Sequence, residues 1–184
     1  MPNYRRYRVP GGTYFFTVNL ENRRSDLLVR RIDALREAVR GMRADRPFHI
    51  DAWVVLPEHI HCVITLPPGD MDFSNRIKSM KMRFSMSVPT TEGRSAIRTK
   101  RGERGIWQRR FWDHVIRDDN DYARHLDYVH YNPVKHGWVE RVRDWPYSTF
   151  HRWVAQGLYP ADWGDGDFED LEAGERQEKR RLPR

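Results

Sequence analysis

The sequence predicts an α+β fold: a ferredoxin-like βαββαβ antiparallel sheet with an additional C-terminal helix. Three observations predict it. β-rich runs and helical periodicities follow one another in the order β-α-β-β-α-β-α. Only Pro57-Glu58 separates the second run from the third, which makes them a hairpin of antiparallel neighbours. Apolar residues recur at helical spacing in three segments, so two helices cover the sheet and a third packs on or beside it.

Each element has its own signal. "TYFFTVNL" (13–20) follows a Gly11-Gly12 turn and reads as the first strand. Ser25 caps a helix whose Leu28, Ile32, Leu35, Val39 and Met42 fall at spacings of four and three. "FHIDAWVVL" (48–56) and "HIHCVITL" (59–66) are the hairpin strands. A helix follows Asp72, with Phe73, Ile77, Met80 and Phe84 on one stripe. Residues 88–106 show neither period nor apolar density and read as a mobile basic loop. "RFWDHVIR" (110–117) is the fourth strand. Asp118 caps the third helix, which is expected to stop near Asn132-Pro133. The folded domain is assigned to residues 1–159, and the acidic residues 160–184 to an extended or disordered tail.

Charge points to a polyanionic partner. The chain carries a formal net charge of +7. Residues 76–117 hold 12 Lys and Arg against 3 Asp and Glu, interleaved with Phe84, Trp107, Phe111 and Trp112. Cations for phosphates beside flat rings for unstacked bases suit a single strand better than a duplex groove. The residues offered for this contact are Arg5, Arg6, Arg76, Lys78, Lys81, Arg83, Trp107, Arg109, Arg110 and Lys135. The single cysteine, Cys62, excludes an internal disulfide and suits a reducing compartment. No apolar run is long enough to span a bilayer, and the N-terminal residues lack a signal-peptide core, so a cytoplasmic protein is expected.

One strand carries unexpected chemistry. His59 and His61 flank Ile60 and therefore share a face, ~6.5–7 Å apart along the strand. Two imidazoles so placed chelate a divalent ion, or are simply polar positions on a half-exposed strand. Cys62 faces the other side and reads as a small core residue. On the third helix Tyr122, Leu126 and Val129 form the apolar stripe. Tyr128 lies off that stripe by ~125° and Tyr131 points nearly opposite it. Asn132 is one turn beyond Tyr128, so a phenol and a carboxamide share one flank. Such a tyrosine is a workable nucleophile toward a phosphate polarised by a metal. His114 and His125 have no evident partner in the sequence.

Together, "YRRYRVPGGTYFFTVNL", "WVVLPEHIHCVITLPPGDMDFSNR", "IWQRRFWDHVIRDDNDY", "LDYVHYNPVKHGWV" and "DWPYSTFHR" cover nearly all of residues 4–159. This ordered set resembles the REP-associated tyrosine transposases, a branch of the single-tyrosine HUH endonucleases. The resemblance implies that His59 and His61 are metal ligands, that Asn132 is a further polar ligand, and that Tyr128 is the catalytic tyrosine, with Tyr131 as its local rival. It implies Mg²⁺ or Mn²⁺ as cofactor and a 5′-phosphotyrosine intermediate. It also implies single-stranded DNA hairpins of repetitive palindromic elements as partner, and a monomer, with a dimer as the alternative, working at the nucleoid. The competing expectation is a non-catalytic single-stranded nucleic-acid binder. A zinc-stabilised structural module is disfavoured by the lone cysteine.

Overall fold

The computed structural model describes residues 6–90, 99, 100, 102 and 104–166. A four-stranded sheet forms its middle layer: β1 (Thr13–Asn19), β2 (His49–Val55), β3 (His59–Thr65) and β4 (Trp112–Val115). Their order across the sheet is β2-β3-β1-β4, with every neighbouring pair antiparallel. That is the order expected of a ferredoxin-like βαββαβ chain.

Alternation along the strands makes two buried faces. Tyr14, Phe16 and Val18 of β1, with Ile60, Cys62 and Ile64 of β3, line one face. Two helices cover it, α2 (Ile32–Asp45) and α3 (Phe73–Ser87), packed side by side. Gly41 leaves room between them for the Arg83 guanidinium, which reaches Asp45 on α2. Cys62 is fully buried here, and burial pushes its thiol well above the usual range. Phe15 of β1, Val54 of β2 and Val63 of β3 line the other face. The long helix α4 (Asp119–Lys135) covers that side through Leu126, Tyr128 and Val129.

Several expectations are refined. The first helix divides: a short α1 (Leu27–Arg30) ends at Arg31, whose φ of −118° and ψ of 37° lie outside the helical basin. Asp72 caps α3 by accepting from Asn75 N at 3.2 Å. Asp118 caps α4 by accepting from Asp121 N at 2.8 Å. Contrary to expectation, α4 does not stop at Asn132-Pro133. It runs through Pro133 to Lys135 and ends only where Gly137 takes a φ of +70°. Proline lacks a donor, but in the last turn the lost bond is one of few, and His136 N and Trp138 N still donate to Asn132 O and Pro133 O.

After α4 the chain runs along the outer edge of β2. Val55 N donates to Tyr147 O at 2.9 Å and Thr149 N to Trp53 O at 2.8 Å, so this edge is closed. A final helix, α5 (Phe150–Ala155), then packs with Tyr159 and Trp163 around His130 and Phe150. The boundary expected at 159 is therefore too early. Trp163 joins this aromatic cluster, and Asp165 pairs with Arg143 at 2.8 Å. The acidic stretch from 167 onward, and 91–98 of the basic loop, lie outside the described residues. The end of that loop is tied down: Arg104 donates to Val88 O and Pro89 O, and Ile106 O accepts from Glu21 N. No helix among the described residues is long and apolar enough to cross a membrane.

His130 gives this packing a pH signature. It is fully buried, and burial followed by the nearby Arg152 and His151 charges lowers it from 6.5 to about 3. Folded His130 therefore binds its proton less readily than the unfolded chain does. Its contribution is complete above pH 6.5 and is lost as pH falls toward 3. We expect the urea midpoint to drop between pH 7 and pH 4, with a shallower drop in His130→Asn; an unchanged slope in that variant refutes the assignment.

Candidate active site

The residues that converge on the α4 side of the sheet come from three elements. His59 and His61 stand on β3, buried to 2% and 1% exposure, opposite Asn19 and Thr17 of β1. Their rings are 4.6 Å apart and nearly perpendicular. Thr17 Oγ1 and His61 Nδ1 hydrogen-bond at 2.9 Å, which orients that ring. Glu58 Oε1 lies 3.1 Å from His59 Nδ1, off the direction of a hydrogen bond, and Arg23 sits 3.6 Å behind the carboxylate.

Helix α4 supplies the rest. Tyr128 is 6% exposed, with its ring 5.3 Å from that of His61 and 5.7 Å from that of Phe15. Lys135 Nζ stands 4.9 Å over the same phenol ring. One turn beyond Tyr128, Asn132 is fully buried, and neither its oxygen nor its nitrogen has a hydrogen-bond partner. It biases His59 toward the charged form but is out of hydrogen-bond geometry with it. A further turn brings His136, whose ring is 5.2 Å from that of His59. Tyr131 points elsewhere, its ring 6.4 Å from Trp163.

This donor set fits a divalent cation. Ligand nitrogens of His59, His61 and His136 lie within 4.8 Å of one another. A buried carboxamide with no protein partner is costly unless something else engages it. Burial, the largest influence on all three imidazoles, lowers their pKa, and His136 reaches about 4. That shift favours the neutral form, the one that ligates metal. At Glu58 burial acts upward, but His59 and Arg23 outweigh it and hold the carboxyl below its usual value.

Two solvent-facing assignments need correction. Arg76 is 1% exposed and donates to Arg46 O, Asp72 O and Pro47 O and to the Asp70 carboxylate at 2.6 Å, so it staples α3 to the start of β2 instead of meeting phosphate. Lys81 is also turned inward: it donates to Gln108 O at 3.0 Å, and burial followed by the Arg6 charge lowers it to about 8. Arg83 pairs with Asp45, and Arg6 pairs with Asp113 at 3.2 Å while lying 4.2 Å over Phe111. Trp107 packs on Phe84 and donates to Lys81 O, which pins its edge. Lys78, Arg109 and Arg110 remain exposed on the surface, and Lys135 lies at the cleft. Arg5 lies outside the described residues.

A second polar cluster was not foreseen. His114 Nε2 lies 2.8 Å from Asp121 Oδ2, His125 donates from Nδ1 to Asp121 O at 2.7 Å, and the two imidazoles stack 4.7 Å apart. Arg117 also pairs with Asp121, which fastens the start of α4 to β4.

The chain that carries these sites has counterparts among known proteins. Residues 11–132 match the family model described as "Transposase IS200 like". The chain belongs to this family. The REP-associated tyrosine transposase of Escherichia coli K12 is 54% identical over 176 residues, covering 96% of this chain and 98% of the relative. A Haemophilus influenzae relative is 48% identical over 165 residues, 89% of this chain and 94% of its own length. A solved structure of the REP-associated tyrosine transposase bound to a REP hairpin is 55% identical, with a TM-score of 0.81, over 96% of this chain and 98% of that one. The chain is thus a transposase-type DNA endonuclease with the α+β fold read from its sequence.

Because burial lowers the pKa of these imidazoles, divalent-metal binding should persist below the pH at which free histidines protonate. Titration calorimetry with Mn²⁺ at pH 7.5 and pH 5.5 is expected to give affinities within about threefold. A fall of roughly tenfold or more, as for ordinary imidazoles of pKa ~6.5, contradicts the burial argument.

Proposed function

We propose that this transposase cleaves and rejoins single-stranded DNA beside hairpins of repetitive palindromic elements, with Tyr128 as nucleophile. The observation that carries the assignment is the Tyr128 ring packed 5.3 Å from His61 on a shared buried face. Tyr131 is turned toward Trp163. We assign His59, His61, Asn132 and His136 to a divalent cation, Mg²⁺ or Mn²⁺. Such a cation supplies neutralisation of charge on the scissile phosphate.

The remaining work falls to the chain itself. Tyr128 Oη attacks phosphorus in line with the departing 3′ oxygen. The phenol–phosphorus bond forms, the P–O3′ bond breaks, and the phenolic proton ends on the released 3′-hydroxyl. Lys135, a cation over the Tyr128 ring, favours the phenolate as it develops. Thr17 holds the His61 imidazole in register, and Glu58 lies beside His59. The phosphotyrosine ester stores about the energy of the phosphodiester it replaced, so a second 3′-hydroxyl reverses the step without ATP. His59, His61 and Tyr128 meet within one chain, which supports a monomer as the working unit, acting in the cytoplasm at the nucleoid. Lys78, Arg109 and Arg110 are the exposed cations offered to the hairpin backbone.

The test is a covalent trap. Labelled single-stranded DNA carrying the host's repetitive hairpins is mixed with protein in Mg²⁺ or EDTA and resolved on denaturing gels. The expected result is a metal-dependent, SDS-resistant adduct that is lost in Tyr128→Phe and kept in Tyr131→Phe. An adduct that survives Tyr128→Phe moves the nucleophile. Tight hairpin binding with no adduct in any condition leaves a binder, not an enzyme.

A further inference from the structure

A groove of about 300 Å³ opens on the face of the sheet opposite the histidines, between α2 and the segment that closes the β2 edge. Its floor includes Ile32 and Val39 of α2, Ile50 of β2 and Tyr147, half-buried apolar side chains packed on the core below, and Pro146 beside them is exposed. Its rim is cationic: Arg36, Arg40, Arg43 and Arg152 line it, and no carboxylate is among the lining residues. The three helix arginines fall at spacings of four and three, hence on one stripe of α2. Arg152 is fixed by donating to Ile50 O at 2.7 Å and Asp51 O at 3.1 Å. Arg36 and Arg40 pair with Asp33 and Glu37 on their own helix, in exposed contacts that exchange at little cost. Arg43 lies 5.7 Å from the Phe48 ring centre and makes no ion pair among the described residues. A half-exposed apolar floor under a row of guanidiniums suits an occupant that carries both carboxylates and apolar side chains.

This chain contains such a segment. Residues 167–175, "DFEDLEAGE", hold five carboxylates and no base, with Phe168 and Leu171 three residues apart. The chain just before them is anchored near the groove. Asp165 pairs with Arg143 at 2.8 Å, and Arg143 also donates to Ala161 O at 3.4 Å. Arg143 stands three residues ahead of Pro146, which lines the groove. Three residues span at most ~11 Å and nine extended ones ~30 Å, so the acidic stretch reaches the groove with the folded part undisturbed.

We propose that residues 167–175 dock in this groove, Phe168 and Leu171 against the apolar floor and the carboxylates against the arginine stripe. The docked stretch covers apolar side chains that otherwise meet water and neutralises the cations of this face. The surface is thus an internal one, built for the chain's own acidic segment and separate from the histidine–tyrosine site.

The test uses the full chain carrying Ala173→Cys. Cys62 is fully buried, so a nitroxide reagent takes the introduced thiol, and amide signals are compared before and after reduction of the nitroxide. The expected result is that the amides of Val39, Ile50 and Tyr147 lose most of their intensity, and lose more than those of Lys135 and His136. That loss is abolished by Arg36→Glu/Arg43→Glu. It is also abolished by Phe168→Ser/Leu171→Ser, which leaves the groove itself unaltered. Stronger broadening at Lys135 and His136 puts the stretch in the histidine cleft and overturns the proposal. Broadening of ¹⁵N chains that bear no nitroxide, when mixed with unenriched chains that do, puts it on a second copy and overturns it too. Groove signals that keep their intensity, or that stay broadened in both variants, have the same consequence.

Discussion

The site depends on one aromatic side chain. Phe15, fully buried at the middle of β1, touches the rings of His61, Trp112, His125 and Tyr128 at 5.0–5.7 Å. It is the contact through which strand chemistry and helix chemistry come into register. Removing such a buried ring costs about 3–5 kcal/mol in general, so this packing ranks among the strongest single constraints on where α4 can lie. With α4 seated on Phe15, Tyr128 faces His61, Asn132 faces His59, and His136 closes the cluster.

That packing is also what makes the polar groups unusual. The two strand histidines would be solvated on a half-exposed sheet; under α4 they are almost wholly buried, which favours their neutral form. Asn132 is drawn into the same space with its carboxamide unpartnered. The fold tolerates this because a large apolar face on either side of it, and a fully paired Arg76 beneath α3, hold the chain together independently.

Most of the sheet was legible because alternation and turn residues are local signals. The hairpin across Pro57-Glu58, the caps Asp72 and Asp118, and the inward Cys62 all follow from their neighbours in sequence. What escaped depends on distance or on a rule with exceptions. Ending the third helix at Pro133 hid His136, although Tyr128, Asn132 and His136 are spaced at one turn each and would have shared a flank on a continued helix. Thr17 carries no sequence signal at all, since its role follows only from the β1–β3 register. Arg76 and Lys81 look like surface cations in a basic run, and only the packed structure reveals the carbonyls that bury them. The Asp121–His125 step was visible at helical spacing, but its third member, His114, comes from a strand.

The claim that α4 delivers one particular tyrosine to a cation held by the strand histidines is tested most directly by paramagnetic broadening. The eight tyrosines are labelled with ¹³C in their rings, Tyr128 and Tyr131 are assigned by single Phe substitutions, and Mn²⁺ is added below one equivalent. The account predicts that the Tyr128 ring signal disappears first and that the Tyr131 signal persists beyond it, because broadening falls steeply with distance from the ion. A Tyr128 signal that survives after Tyr131 has vanished, or that is untouched at one equivalent of bound Mn²⁺, contradicts it.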